Sequence, residues 1–225
     1  FDLTSSDGIG FLNRRIKDTQ LIQISWILPT ASIILATLIH YFSGNYRDIP
    51  FFISETDHPG LEDHIFSIGL FLSALIQTIV SFRLYILFKP IASPKLHLLA
   101  LLCGLATSTH LAVLSFATMD QYLEVHIYTA MVVFHGGFAW AFATHFSLPK
   151  SKSKGREVRV YSLLLAFASL VVMTVSIRDG IQSGERELGV HSSEIGLEYL
   201  QPWVNYAAPA EYLLFFGLIG CLASF

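Results

Sequence analysis

Six long, mostly apolar stretches divide this chain of 225 residues. A helix needs about 20 such residues to cross the hydrocarbon core of a bilayer. Because lipid offers no hydrogen-bond partners to the backbone, each stretch is predicted to be a transmembrane helix. The predicted spans are residues 21–42, 64–88, 96–116, 123–146, 158–177 and 203–225. The predicted fold is therefore all-α: one polytopic domain of six transmembrane helices over residues 21–225, preceded by an N-terminal segment 1–20.

Composition and motifs exclude several other classes of protein. Charged residues make up 14% of the chain, whereas about a quarter is usual for soluble domains. The net charge of −3 argues against a nucleic-acid binder. No nucleotide-binding loop, nucleophile elbow or His-Glu-x-x-His zinc motif occurs. Cys103 and Cys221 both fall in apolar runs, so they predict neither a disulfide nor a zinc knuckle. No metal or cofactor is expected.

The charges between the spans predict which side of the membrane each loop faces. Lys and Arg collect in cytosolic loops. Ten of them lie on one side: Arg14, Arg15, Lys17, Lys89, Lys95, Lys150, Lys152, Lys154, Arg156 and Arg159. Only three lie on the other: Arg47, Arg178 and Arg186. Both ends of the chain, including segment 1–20, are therefore predicted to be cytosolic. The loops 43–63, 117–122 and 179–202 are predicted to face the lumen or the cell exterior.

Ionisable residues inside the spans are candidates for a functional site. A charge near the centre of a membrane helix costs about 2.5–3.5 kcal/mol on insertion scales, so such residues are usually paired or functional. Glu211 follows Pro209 in the sixth predicted span, and His126 and His110 lie in the outer halves of the fourth and third. We expect Glu211 and His126 to face the bundle interior. The candidate polar partners of Glu211 are His126, His110 and Tyr206.

The first outer loop is predicted to fold back over the end of the bundle. It contains Phe51, Phe52 and Ile53 in succession, which water disfavours exposing. Asp57 or Ser54 is expected to cap the following helix. The loop has two readings. Its contacts are purely structural, or Glu55, Asp57 and Glu62 line an entrance above His126 and Glu211.

A basic loop follows the fourth span. Lys150, Lys152, Lys154 and Arg156 lie within seven residues. There are two explanations for these charges. They only set the orientation of the loop, or they also bind anionic lipids, phosphoinositides among them. Near an anionic leaflet each Lys or Arg contributes about 1 kcal/mol of attraction.

Several short motifs resemble those of the DRAM family, the damage-regulated autophagy modulators. The run from Pro50 to Thr56, followed by Glu62, resembles the family's P-x-I-S-D-T…P-E segment, although Glu55 replaces its Asp and Asp57 its next Gly. Arg83 stands where the family has an Arg late in the second span. Three further stretches match the family's fourth and sixth spans: Val125-His126, Gly136-Gly137 and Ala210-Glu211-Tyr212.

The resemblance covers about residues 25–225. Together with the ionisable residues inside the spans, it leaves three competing functions. The first is a non-enzymatic membrane regulator or scaffold that binds a protein partner or senses a lipid. The second is a lipid-modifying enzyme, because the superfamily includes GPI-anchor remodelling proteins as well as regulators of phosphatidylinositol 4-kinase. The third is a proton-coupled transporter that uses Glu211 and His126 as a relay. The implied location is an endolysosomal, Golgi or plasma membrane. The resulting candidate cluster is Glu55, Asp57, Glu62, Arg83, His110, His126 and Glu211.

Overall fold

The computed structural model describes residues 8–11 and 14–225 and is almost entirely helical. Short antiparallel strands β1 (Ile9–Phe11) and β2 (Arg14–Ile16) precede the helices. The six long helices are α1 (Asp18–Ser43), α2 (Leu61–Phe88), α3 (Pro94–Leu114), α4 (Met119–Ser147), α5 (Lys154–Leu188) and α6 (Leu197–Ala223). Each is long and apolar enough to cross a membrane. The predicted all-α fold with six transmembrane helices is therefore confirmed.

The last outer loop is much shorter than predicted. Residues 179–202 were expected to form a loop, but α5 continues to Leu188 and α6 already begins at Leu197. At about 1.5 Å per residue, the 35 residues of α5 exceed the ~30 Å of a bilayer core. Polar helix formers such as Gln182 and Glu185 continue the helix without being apolar, so a hydropathy pattern does not detect them. A 3-10 turn, Ser192–Glu194, connects the two helices.

Small residues let α5 and α6 approach closely, and this pair forms the most extensive helix contact of the bundle. Gly217 of α6 lies against the carbonyl of Ser162 and against Ala166 of α5, so a Cβ atom there would meet backbone atoms at 2.9 Å. Gly220 likewise faces Ser162. In membranes, where helices gain little from the hydrophobic effect, such close packing is a main source of association. α5 is thereby fixed at the periphery, beside α6.

The two ends of the described chain meet at one end of the bundle. Ile9 of β1 is 2% exposed and belongs to the same buried apolar cluster as Leu21 of α1 and Leu222 of α6. This agrees with an even number of spans. Residues 1–7, 12 and 13 of the predicted N-terminal segment lie outside the described residues. That this end faces the cytosol stays a prediction from the loop charges.

Cysteine labelling tests the orientation. In a cysteine-free background, Ser153→Cys is expected to react with a membrane-impermeant maleimide only from the cytosolic side, because it lies in the basic loop beside α5. Ser183→Cys, near the other end of the same helix, is expected to react only from the opposite side. The reverse pattern would contradict the orientation given by the ten-to-three distribution of Lys and Arg.

Candidate functional site

The first outer loop, residues 44–60, lies over the end of the bundle where α1, α2 and α6 meet. Its 3-10 turn, Ile53–Thr56, contacts all three helices. Phe51 and Ile53 are 7% and 5% exposed, and Thr56 is fully buried. The apolar run thus packs inward, as predicted. The predicted capping role of Asp57 or Ser54 is wrong: Gly60 occupies the N-cap position of α2, and no side chain caps this helix.

Glu211 of α6 is bonded to this loop. Its Oε2 accepts a hydrogen bond of 2.6 Å from the backbone N–H of Ile53, and the residue is only 6% exposed. The carboxyl therefore faces the interior and has a polar partner, as predicted. The identity of the partner differs from the prediction, because it is the backbone of a remote loop. None of His126, His110 and Tyr206 bonds it among the described residues, and Tyr206 is 68% exposed.

Glu55 holds the shape of the loop. Its carboxylate pairs with Arg47 at 3.2 Å and accepts a hydrogen bond of 2.9 Å from the N–H of Phe52. Arg47 also donates to Gln201 of α6, whose side-chain amide donates to the carbonyl of Pro50 at 3.2 Å. The loop is thus attached to α6 at two levels, through Gln201 and through Glu211. This arrangement gives Glu55 a structural role.

Glu62 belongs to a second buried polar group, beside the loop. Asn45 donates a 2.7 Å hydrogen bond to its Oε1, and the Nδ1 of His40 lies 3.7 Å from the same oxygen. His40 and Glu62 are both 2% exposed, and Asp57 nearby is 4% exposed. The rings of His40 and His58 are 5.9 Å apart. Sequence reasoning missed His40, because a histidine at the end of an apolar span is commonplace.

Below the loop, a cavity of about 110 Å³ lies between all the long helices except α5. Its wall is almost wholly apolar, with Phe66, Leu111, Val133 and Phe215 among the lining side chains. Glu211, His126 and Ser54 line the same cavity. Because Gln77 and Trp140 also line it, the cavity extends along the bundle axis and away from the loop. We call it the central cavity.

His126 occupies the polar end of the central cavity. It is 2% exposed, as the prediction of an interior position required, and its Nδ1 lies 2.6 Å from the carbonyl of Ala117. Its Nε2 is buried and has no hydrogen-bond partner among the described residues. A buried polar atom without a partner is costly, and His126 also lines the central cavity.

Two members of the candidate cluster lie elsewhere. Arg83 is 2% exposed and pairs with Asp18 of α1, at the end of the bundle where the chain ends meet. His110 does not line the central cavity. Its Nδ1 contacts the carbonyl of Ala106 within α3, and its ring packs on Tyr128 of α4. The seven residues of the candidate cluster therefore do not gather at one site.

The basic loop lies at the same end as Arg83. Lys150, Lys152 and Lys154 are exposed, and Arg156 is half-buried. Their side chains are therefore accessible to an anionic surface, but binding to lipid stays a prediction. Nowhere in residues 8–11 and 14–225 do three or more His, Cys, Asp or Glu side chains gather closely enough to hold a metal ion.

Comparison with known proteins identifies the family. A family model described as the Frag1/DRAM/Sfk1/Cwh43P N-terminal domain matches residues 19–225, which is nearly the whole chain. No curated protein and no solved structure matches it. The match agrees with the six spans and with the motifs in the first outer loop, α4 and α6. The chain therefore belongs to the Frag1/DRAM/Sfk1/Cwh43 family of multi-pass membrane proteins.

Proposed function

We propose that this protein is a non-enzymatic membrane regulator that binds the apolar tail of a lipid in the central cavity. One observation carries the proposal: an almost wholly apolar cavity ends at a buried carboxyl group and a buried imidazole. An amphipathic molecule matches this distribution, with its tail among the apolar side chains and a polar group near Glu211 and His126. Ligand sites are commonly apolar with a few well-placed polar groups.

The size of the central cavity supports a tail segment as the occupant. Its volume is about 110 Å³, and an engineered apolar cavity of about 150 Å³ stays dry and takes up benzene. Water gains little from entering a space with so few polar partners. A run of methylene groups gains dispersion contacts with Phe66, Leu111 and Phe215.

An occupant of the central cavity can alter the shape of the loop 44–60, which covers this end of the bundle. Ile53, Ser54 and Glu211 all line the central cavity, and Ile53 and Glu211 are joined by the 2.6 Å hydrogen bond. Ser54 also lines a polar pocket on the other side of the 3-10 turn, together with His40 and Asp57. An occupant that touches Ile53 therefore acts on the loop at its attachment to α6. We propose that a partner protein binds to the surface of this loop.

The family match is compatible with more than one cellular membrane. Endolysosomal, Golgi and plasma membranes all accord with six spans, and a role in autophagy follows from the DRAM resemblance alone. We propose that the protein acts on a partner within its own membrane, as a lipid-responsive scaffold.

Filling the central cavity tests the proposal. Ala130 lines the cavity, and Ala130→Phe places a ring in the space of the proposed tail. We expect the amount of lipid that co-purifies with the protein, measured by native mass spectrometry, to fall at least about tenfold, corresponding to about 1.4 kcal/mol.

The neighbouring Met131 provides the matched control. It is 55% exposed, on the face of α4 that points away from the bundle. Met131→Phe therefore adds a ring to the same helix without entering the cavity. This variant is expected to retain its lipid. Equal lipid content in Ala130→Phe, Met131→Phe and the unchanged protein would contradict the proposal.

A lipid-modifying enzyme is the second candidate, and the unpartnered Nε2 of His126 favours it. In that case the imidazole acts as a general base toward a bound lipid, and Glu211 shares its cavity. Glu62 does not line this cavity and contacts Asn45 and His40 instead. The test is whether the protein converts labelled phospholipids to products. Conversion that is lost in His126→Gln would support the enzyme over the regulator.

A further inference from the structure

A separate pocket, at the end of the bundle where the chain ends meet, contains a buried cation. Arg159 of α5 is 8% exposed, and its Nε donates a 2.9 Å hydrogen bond to Ser224. Its guanidinium carbon lies 4.0 Å from the centre of the Phe225 ring. No carboxylate among the described residues forms an ion pair with it. A buried charge without a counter-charge is costly, so an anion that pairs with Arg159 would stabilise this pocket.

The surroundings of Arg159 are those of an anion site. The pocket has a volume of about 260 Å³, and Arg156, His145, Ser151 and Ser153 line it together with Arg159. Two guanidinium groups and several hydroxyls thus face one space. The Nδ1 of His145 is buried and has no hydrogen-bond partner among the described residues.

The start of α5 adds to the positive potential. Ser153 is the N-cap of this 35-residue helix, and its side chain accepts a hydrogen bond from the N–H of Arg156. The N–H groups of the first two helical residues, Lys154 and Gly155, have no acceptor within the helix, and the helix dipole places partial positive charge there. Phosphate groups bind readily at such positions.

We propose that this pocket binds a phosphate monoester, with Arg159 as its central contact and Arg156 as the second. Arginine binds phosphate oxygens through two parallel N–H donors, and Arg159 has its terminal nitrogens unbonded among the described residues. The pocket lies between the ends of α2, α4 and α5 and the two residues after α6, beside the exposed lysines of the basic loop. A phosphorylated lipid headgroup and a free phosphate share this chemistry. The site is separate from the central cavity and does not depend on the function proposed for it.

Binding measurements on the full-length protein in neutral nanodiscs test the site. The two probes are a short-chain phosphatidylinositol 4-phosphate and inorganic phosphate. We expect saturable binding that Arg159→Gln weakens at least about tenfold, because hydrogen bonds from a guanidinium to phosphate are stronger than bonds between neutral groups. Arg159→Lys is expected to weaken it as well, since a single ammonium lacks the paired donors. Preference for the lipid probe assigns a headgroup, and equal binding assigns the phosphate group itself.

Lys95→Gln is the matched control, because Lys95 is exposed and does not line the pocket. It removes one charge from the same end of the bundle, outside the basic loop, and is expected to change the affinity less than about twofold. Equal losses in Lys95→Gln and Arg159→Gln would overturn the proposal in favour of diffuse attraction. If Arg159→Gln fails to fold, Arg156→Gln serves instead, and unchanged affinity in that variant also overturns the proposal.

Discussion

Asp18→Ala is expected to destabilise the protein by about 2–4 kcal/mol, the largest effect of any substitution considered. Asp18 holds Arg83 through two hydrogen bonds, 2.7 Å to Nε and 2.9 Å to Nη2. Arg83 is 2% exposed, and loss of one partner from a buried ion pair typically costs about 3–5 kcal/mol. The expected value is lower because the Asp18 side chain is 24% exposed. Thermal unfolding in a mild detergent measures the change.

A double-mutant cycle separates the ion pair from other effects of the substitution. Asp18→Ala with Arg83→Met removes both charges, and replacing a buried pair by apolar side chains is often nearly neutral. The double variant is therefore expected to be more stable than Asp18→Ala alone. Asp179, which is exposed at the other end of the bundle, serves as the control, and Asp179→Ala is expected to stay within about 0.5 kcal/mol. Additive losses in the cycle would contradict the ion-pair account of Arg83.

Glu211→Leu is expected to destabilise the protein by about 1–3 kcal/mol and to loosen the loop 44–60. The leucine leaves the buried N–H of Ile53 without the acceptor that it has at 2.6 Å, and an unsatisfied buried donor costs about this much. Hydrogen exchange measures the effect locally. The amide of Ile53 and its neighbours in the 3-10 turn are expected to exchange at least about tenfold faster.

Glu211→Gln is the control for this prediction. Glutamine keeps the length of the side chain and an acceptor oxygen, so the hydrogen bond to Ile53 is retained and the loop is expected to exchange slowly. The loop is also held by Gln201, which is why local opening and not global unfolding is expected in Glu211→Leu. Unchanged exchange in Glu211→Leu would show that Glu211 does not attach the loop to α6.

The helices were predictable because membrane insertion imposes a simple rule of length and apolarity. That rule reports only the part of a helix that lies in lipid. It therefore missed the polar continuation of α5 to Leu188 and the early start of α6 at Leu197. The kink of α4 at Tyr122 likewise leaves no mark on an apolar pattern.

The site was only partly predictable, since depth along a helix does not fix direction around it. Glu211 and His126 were expected inside, because a charge or imidazole facing lipid is costly, and both are. His110 lies at a similar depth but contacts its own helix backbone and Tyr128. The bond from Ile53 to Glu211 joins residues 158 positions apart through a backbone donor. No side-chain pattern in the sequence reports such a contact.

The same limit explains the missed cations and acids. Arg159 counted only as one of ten charges that set the orientation, yet packing against Ser224 and Phe225 buries it. His40 and Glu62 lie at the ends of successive spans, and only the turn formed by loop 44–60 shows that they meet at 3.7 Å.

The most direct test of the central claim is to map where a lipid tail lies in the protein. The protein is incorporated into membranes that contain a phospholipid with a photoreactive diazirine in its acyl chain, and the cross-linked residues are identified by mass spectrometry. The account predicts labels on cavity residues such as Leu111, Val133 and Phe215, with loss of these labels in Ala130→Phe. Labels confined to lipid-facing residues such as Leu102 and Phe167, which are 56% and 54% exposed, would contradict it.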